Sequence, residues 1–539
     1  MKTFKGYLVL FVFTFLSNPY DLYCQGWVKT FSSSSYDLYG YTVREDYDKG
    51  YLLGVDQGSA MRIGKVIKTD INGNVLWEKN LGDGHQKWAL HGMDVSPDGG
   101  VIITGVCDTL DIEYWDPFIV KLNTCGEIQW CHVFHSNQKP DYGGTIRSLP
   151  DNTYILLLKD WGLAPTHNVC LMHLDINGNV TWEQQYFQSD PLVSPYNEIE
   201  IYLTPDNKYL VTGTCYRPDS GQITPYWLWP MLILADSTGN AVWEIPWGYT
   251  LPFGGQVGGE GFQSIRAGNN MYSSVCHYII PDHRYAPCLI KTSFSGVPES
   301  YHDLKPNTDY GKATTLSKVS DSIFIIGGGY VVTGLSKMSV FKTDTLGTIL
   351  KEKILKYYDW LPMDAILTQD HKYLTTAWDN INNKNLFYLW KLNADLEYDS
   401  IYTQPRVYDS LCPYSITSST LFFQCDLITG MIEPVINTEK VKMHIYPNPG
   451  SNIFHVEMPS CIQKQTKTEH LNVVTIFHQW YNDLDLEVYD LFGKLIYRQM
   501  VKPLEKELDL NVSGWSRGIY YVRLSSGETE VATSKLIVK

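Results

Sequence analysis

The chain has 539 residues, 44% of them apolar and 14% aromatic, and its 43 Lys and Arg against 58 Asp and Glu leave a formal net charge of -15. So acidic a surface repels the phosphate backbone of nucleic acid and anionic membranes, so neither is an expected partner. A domain of roughly 380 residues hides about three-quarters of its unfolded surface, so there is ample material for a large core.

At the N-terminus, Lys2 and Lys5 precede the apolar run Tyr7 to Leu16, which is shorter than the roughly 20 residues that span a bilayer. Residues 1–25 therefore read as a cleaved export signal, cut on one side of Gln25. A lipid attached at Cys24 is the rival reading, and Asp21-Leu22-Tyr23 makes a poor sequence for it. Ten of the 11 cysteines then remain, an even number in a chain bound for an oxidising compartment. Cys276 and Cys288 flank a candidate hairpin symmetrically about Asp282, and Cys412 and Cys425 bracket a short loop. Both pairs are disulfide candidates. Buried thiols are an equal expectation for the others.

From Lys68 to residue 400 one ten-residue phrase occurs seven times: KTDINGNVLW (Lys68), KLNTCGEIQW (Lys121), HLDINGNVTW (His173), LADSTGNAVW (Leu234), KTSFSGVPES (Lys291), KTDTLGTILK (Lys342) and KLNADLEYDS (Lys391). The starts are 49 to 61 residues apart, a period that suits a β-propeller blade. Within each period a proline or polar turn (SPDGG, LPDNT, TPDNK, VSDS) precedes a β-rich run such as Val101 to Val106. In the phrase itself Asp70, Asp175 and Asp236 are placed to accept hydrogen bonds from the turn backbone, while Gly73, Gly178 and Gly239 supply positive φ. Trp77, Trp130, Trp182 and Trp243 then head a further strand. With an inner strand before each proline turn, four strands arise per period, and residues 26–405 are expected to form a seven-bladed, all-β propeller. The segment Trp27 to Phe31 repeats the Trp-led pattern and is expected to close the ring by pairing near Ser400 to Thr403, which removes two exposed edges.

Residues 406–443 read as a linker, and residues 444–539 as a second, small Ig-like β-sandwich, from the half-buried strands Leu484 to Tyr489, Lys494 to Arg498 and Gly518 to Leu524. Four motifs follow in order to the terminus: Ile445-Tyr446-Pro447-Asn448-Pro449, then LEVYDLFGK with Tyr489, Asp490 and Gly493, then GIYYVRL with Gly518 and Tyr520, and finally SKLIVK with Lys535 and Lys539. This resembles the type A C-terminal sorting domain of the type IX secretion system of Bacteroidota. The resemblance implies export through the periplasm to the outer surface or medium, with the secretion translocon and a sortase as partners and surface lipopolysaccharide as an anchor. The stretch Pro459 to Asp485 is longer than the family's usual connection.

Signatures of chemistry are absent: there is no HExxH, GxSxG, P-loop or CxxC, and no cofactor or metal is expected. Asp70 to Asn74 lacks the spaced ligands and closing Glu of a calcium loop. The phrase resembles the Asp-box of sialidase propellers, but with two residues between Asp and Gly instead of one. The inner strands place Arg44, Asp94, Arg147, Glu200 and Asp364, with Tyr202, at the mouth of a central channel, where they are candidates to grip a glycan or protein or to pair with one another. Trp115, Trp161 and Tyr226 to Trp229 suit stacking on sugar rings or packing between blades. His85, His91, His132 and His135 read as ordinary strand and turn residues. A non-catalytic glycan- or protein-binding module is the leading expectation. A carbohydrate-active hydrolase or lyase using Asp94, Glu200 and Asp364, or a structural role in the outer coat, are the alternatives.

Overall fold

A computed structural model describes residues 27–33, 37–58, 62–82, 87–108, 115–135, 141–160, 169–187, 194–195, 200–217, 227–248, 251–252, 258–279, 284–357, 361–381, 384–429, 444–450, 452–457, 484–491, 494–501, 507–526 and 529–539. The expected signal peptide lies outside these residues. No helix among them is long and apolar enough to cross a membrane. The chain divides into two compact units, Met1–Met431 and Ile432–Lys539.

The first unit is a ring of seven antiparallel blades. Their inner strands are Leu38–Glu45, Trp88–Val95, Asp141–Ser148, Glu200–Leu203, Gly258–Ala267, Tyr310–Lys318 and Asp364–Leu367. The repeated phrase forms the hairpin between the third and fourth strands of a blade. Asp70 Oδ1 accepts from the N–H groups of Asn72 and Asn74, both at 2.8 Å, and Asp175 repeats this with Asn177 and Asn179. The phrase also joins neighbouring blades. Trp130 donates its indole N–H to Ile176 O in the next blade at 3.0 Å, and Trp243 does so to Phe294 O at 3.0 Å. Gly178 stands at φ 81° and lies so close to Trp130 that a Cβ there would meet the ring at 2.7 Å. Glycine is therefore required twice over, by turn and by packing. The phrase's opening lysine has its own partner. Lys68 and Lys121 are buried and bind the aspartates of their blades' first turns, Asp48 at 2.8 Å and Asp98 at 2.9 Å.

Val28–Phe31 closes the ring as the fourth strand of blade 7, but its partner differs from the expectation. Val28 faces Trp390 and Phe31 faces Phe387, not residues 400 to 403. The strand Lys384–Leu392 has one open edge, and Val28–Phe31 occupies it, leaving the continuing chain only the bridge Leu392 to Tyr398.

The expected linker is corrected too: residues 406–429 form a strap on blades 1 and 2. Asp409 accepts from Trp77 Nε1 at 3.0 Å. Ser419–Leu421 adds a parallel strand to the outer edge of blade 1, and Asp426–Thr429 does the same on blade 2. Disulfides Cys125–Cys412 and Cys131–Cys425 fix the strap, so Cys412 and Cys425 each bind the ring, not each other. Cys276 and Cys288 are buried thiols. Their hairpin pairs Val275 with Cys288 and Cys276 with Pro287. That is one residue out of the symmetry the sequence suggested, and such a slip puts the two sulfurs on opposite faces.

The second unit is a sandwich. Strands His444–Tyr446, Ile453–Glu457 and Glu507–Asn511 form one sheet, and Leu495–Met500, Leu484–Asp490, Gly518–Ser526 and Thr529–Val538 form the other. Phe454, Val456, Leu508 and Leu510 meet Leu486, Val488, Val522 and Leu536 between them. Asn448, between Pro447 and Pro449, accepts from Ile537 N–H at 3.0 Å and donates to Lys535 O at 2.5 Å, and Lys539 N–H donates to Gly450 O at 2.9 Å. The first and last sorting motifs are thus two sides of one hydrogen-bonded contact. Asp490 Oδ1 holds Lys494 N–H at 3.0 Å, Tyr489 donates to Glu487, and Tyr520 donates to Ser516 O from the strand that Gly518 opens. Gly493 is outside the described residues.

Candidate functional site

The five charges nominated on the inner strands do meet around the axis. Arg44 of blade 1 reaches Asp364 of blade 7 through Nη1 at 2.7 Å and Asp94 of blade 2 through Nε at 3.3 Å. Asp94 also accepts from Ser148 N–H of blade 3 at 2.9 Å. Arg147 pairs with Glu200 of blade 4 and donates Nε–H to Ile201 O at 3.2 Å. Gln263 of blade 5 donates to Asp364 at 3.1 Å and accepts from Leu316 N–H of blade 6 at 2.9 Å. Every blade contributes, and the side chains keep only 8 to 22% of their exposure. Burial lowers the pKa of Arg44, but Asp364 and Asp94 outweigh it and hold the group above its ordinary value. Burial brings Arg147 down to about 10, with the Arg44 charge pushing the same way.

Asp364 is the hub, also accepting from Thr42 Oγ1 at 2.9 Å and Val43 N–H at 3.0 Å. A carboxylate so fully engaged is a poor general acid or base. Tyr202 packs beside core clusters of blades 4 to 6. The chemistry of this end of the inner strands is that of a polar keystone.

A second group forms nearer the start of the inner strands, and sequence reasoning missed it. The first strand of blade 1 bulges between Gly40 and Thr42, and that of blade 2 between Leu90 and Gly92, so Tyr41 and His91 are the extra residues. A bulge re-aims a side chain, and here the two rings come to 6.3 Å. Arg62 donates to Tyr41 Oη at 2.7 Å and lies 5.1 Å over the ring of Tyr39. Tyr39 in turn meets Trp378 of blade 7 edge-on at 5.2 Å. Lys87 lies 5.2 Å over Trp115 in blade 2, and Trp88 N–H bonds Arg62 O at 3.2 Å, which joins the two cation-aromatic pairs. All of these side chains are half-buried.

Beneath them Asp56 is fully buried. Its Oδ1 accepts from Leu90 N–H at 2.8 Å, while Oδ2 has no hydrogen-bond partner. Burial raises its pKa to about 7, against the Leu90 hydrogen bond and the Arg62 charge. Burial, with Asp56 next, raises Tyr41 to about 12. Glycines beside Tyr41 and His91 in the sequence were the available signal, since glycine inside a strand marks a bulge or a close approach.

Of the other nominations, Trp229 is 1% exposed in the core between blades 3 and 4, so it packs instead of stacking on a sugar. Trp161, Tyr226 and His85 lie outside the described residues. His132 stacks on Trp130 and contacts Asn177 O at 3.0 Å, a structural position.

Residues 444–539 match the secretion system C-terminal sorting domain family. The chain is a type IX secretion cargo exported to the cell surface or extracellular space, and its tail interacts with that machinery. No curated protein matches the chain. Among solved structures it is similar to a protein of unknown function from Dyadobacter fermentans (9% identity over 67% of this chain and 98% of that one, TM-score 0.37). It is also similar to a PL25 ulvan lyase with bound saccharide (8%, covering 68% and 96%, TM-score 0.43). A third is a subtype N10 neuraminidase-like protein of A/little yellow-shouldered bat/Guatemala/060/2010 (10%, covering 67% and 99%, TM-score 0.34). Likenesses this distant carry nothing about chemistry.

Proposed function

We propose that the exported ring captures a glycan on the row Trp378, Tyr39, Arg62, Tyr41 and His91, and that it acts by binding. The supporting observation is the row itself: four rings from three blades interleaved with a guanidinium. Aromatic faces complement the apolar faces of sugar rings, and a few convergent polar groups orient them. The axis charges support this reading by contrast, because their donors and acceptors already answer one another.

A second reading, an acid-base enzyme acting on the same glycan, is favoured by one observation. Asp56, with a pKa near 7 and an unpartnered oxygen, lies under Tyr41 and Arg62. A carboxyl poised near neutrality suits proton transfer.

Screening the purified ring on glycan arrays, and against hydrolase and lyase substrate panels, separates the readings. Capture without turnover, lost in Tyr39→Ala and Trp378→Ala, is the expected result. Turnover lost in Asp56→Asn would establish the enzyme, and capture indifferent to changes along the whole row would remove both.

A further inference from the structure

Blade 5 carries a cluster of mixed donors apart from the glycan row. Its last three strands are Asn270–Ile279, Arg284–Ser293 and Pro298–Asp303. Cys288 stands directly opposite both Val275 and Asp303 in the register, and His277 stands opposite Ala286. Residues two apart on a strand share a face, so His277, Cys288 and Asp303 project to the same side of three adjacent strands. Their ligand atoms all lie within 4.8 Å of one another. His277 Nδ1 is 2.8 Å from Asp303 Oδ1. His277 is 6% exposed and Cys288 0%, and the face packs against Leu232, Trp247 and Leu251.

We propose that His277, Cys288 and Asp303 form a zinc site. One imidazole nitrogen, one sulfur and one carboxylate oxygen are the donor types that select zinc, and three protein ligands leave the fourth tetrahedral position to water. Calcium and magnesium take oxygen ligands and are disfavoured by the sulfur. The site runs against the sequence expectation of no metal, because its ligands are spaced 11 and 15 residues apart with no motif and only strand register unites them.

The comparison with blade 1 sharpens the assignment. Asp46, Asp48 and Asp409 are grouped equally tightly, but the Lys68 ammonium lies among them, 2.8 Å from Asp48, and supplies the positive charge. In blade 5 the donors include a sulfur, a ligand type that favours zinc over oxygen-seeking cations. Cys276, the nearest alternative partner for oxidation, faces the other way, its Sγ donating to Gly311 O at 3.4 Å. Zinc binds sulfur as the thiolate, so binding releases the Cys288 proton to solvent as the zinc–sulfur bond forms, and affinity rises with pH. The ion would brace the three outer strands of a blade whose phrase has Ser300 where blades 1 to 4 have tryptophan.

The test uses the full chain, stripped with a chelator and titrated with cobalt(II) or zinc(II) alone. Cobalt should bind with about one equivalent per chain and give a thiolate-to-cobalt charge-transfer band. The band should vanish in Cys288→Ser, and zinc should raise the melting temperature of the wild type but not of that variant. If Cys288→Ser does not fold, His277→Gln keeps the thiol and should weaken cobalt binding at least about 10-fold. A folded wild type without the band, or a band or affinity unchanged by these substitutions, overturns the proposal. Glycan capture does not enter these readouts, so the two proposals stand or fall separately.

Discussion

Two groups of side chains at and beside the inner strands use their chemistry in opposite ways. Toward the first turn of each blade, Arg44, Asp94, Arg147, Glu200, Gln263 and Asp364 come from six blades and bond one another and backbone groups, with Leu316 N–H of blade 6 completing the ring. Toward the strand starts, Tyr39, Tyr41 and His91 form a row with Arg62, just before the third strand of blade 1, and Trp378, on the second strand of blade 7, beside a buried carboxyl with an open oxygen. The lesson is that charge near an axis does not make a site. What distinguishes the two groups is their chemistry: the axis charges satisfy one another and so rigidify the ring, whereas the row presents aromatic rings and a guanidinium beside the open oxygen of Asp56.

The largest expected effect breaks the first group. Arg44→Ala leaves Asp364 and Asp94 buried without their guanidinium, and removal of one partner from a buried pair costs about 3–5 kcal/mol. Chemical denaturation should show a loss of this size, with Asp364→Ala similar. A loss below about 1 kcal/mol would mean the network is solvated, and these residues would return as ligand candidates.

Next in size is the strap, which crosses from blade 1 to blade 2, the two blades that supply Asp56, Arg62 and His91. Each of the disulfides Cys125–Cys412 and Cys131–Cys425 closes a loop of nearly 300 residues. Each should contribute about 2–4 kcal/mol, mainly by restricting the unfolded chain. Paired Cys125→Ser and Cys412→Ser substitutions should lower stability by that amount, and peptide mapping under non-reducing conditions should recover these pairs and not Cys276–Cys288.

Much of this architecture was legible because it repeats. The phrase carries its own turn chemistry in Asp70 and Gly73, and its period marks each blade. What was not legible depends on pieces far apart in sequence meeting. The ring-closing strand was recognised but assigned the wrong partner, since competition for the edge of Lys384–Leu392 has no local signature. Cys276 and Cys288 were misread through a one-residue register. The strap has no periodicity, so it read as linker. Counting along each strand reaches the axis charges, but their mutual pairing arises between residues from 50 to 320 positions apart. Tyr41 and His91 escaped because a bulge breaks the alternation on which such counting depends.

An effect of comparable size, but dependent on pH, tests the buried carboxyl beneath the row. The pKa of Asp56 is about 7 in the folded ring and near 4 in the unfolded chain. Between these values the folded state binds more protons, so stability is greatest below about pH 4, falls as pH rises toward 7 and is level above it. The slope is at most about 1.4 kcal/mol per pH unit. Asp56→Asn should remove this component, leaving the ring more stable than wild type at pH 8 and nearly equal at pH 4. Melting curves across that range check the sign.

The smallest energy belongs to the most informative substitution. Arg62 donates to Tyr41 and covers Tyr39 but is only half-buried, so Arg62→Ala should change ring stability by no more than about 1 kcal/mol. If the row holds a glycan, the same change removes the cation that orients it and should weaken capture about 10-fold, or roughly 1.4 kcal/mol. Arg62→Lys keeps the charge but loses the planar contact with Tyr39 and the fixed direction of its hydrogen bond, so it should recover only part of the affinity. Binding titrations beside denaturation curves give both quantities from one preparation. For Arg44→Ala the expected outcome is the reverse, a large loss of stability with ligand affinity kept in whatever fraction remains folded. If instead both variants lose stability and affinity together, the two ends form one cooperative unit, and the division of the inner strands into a keystone and a binding row fails.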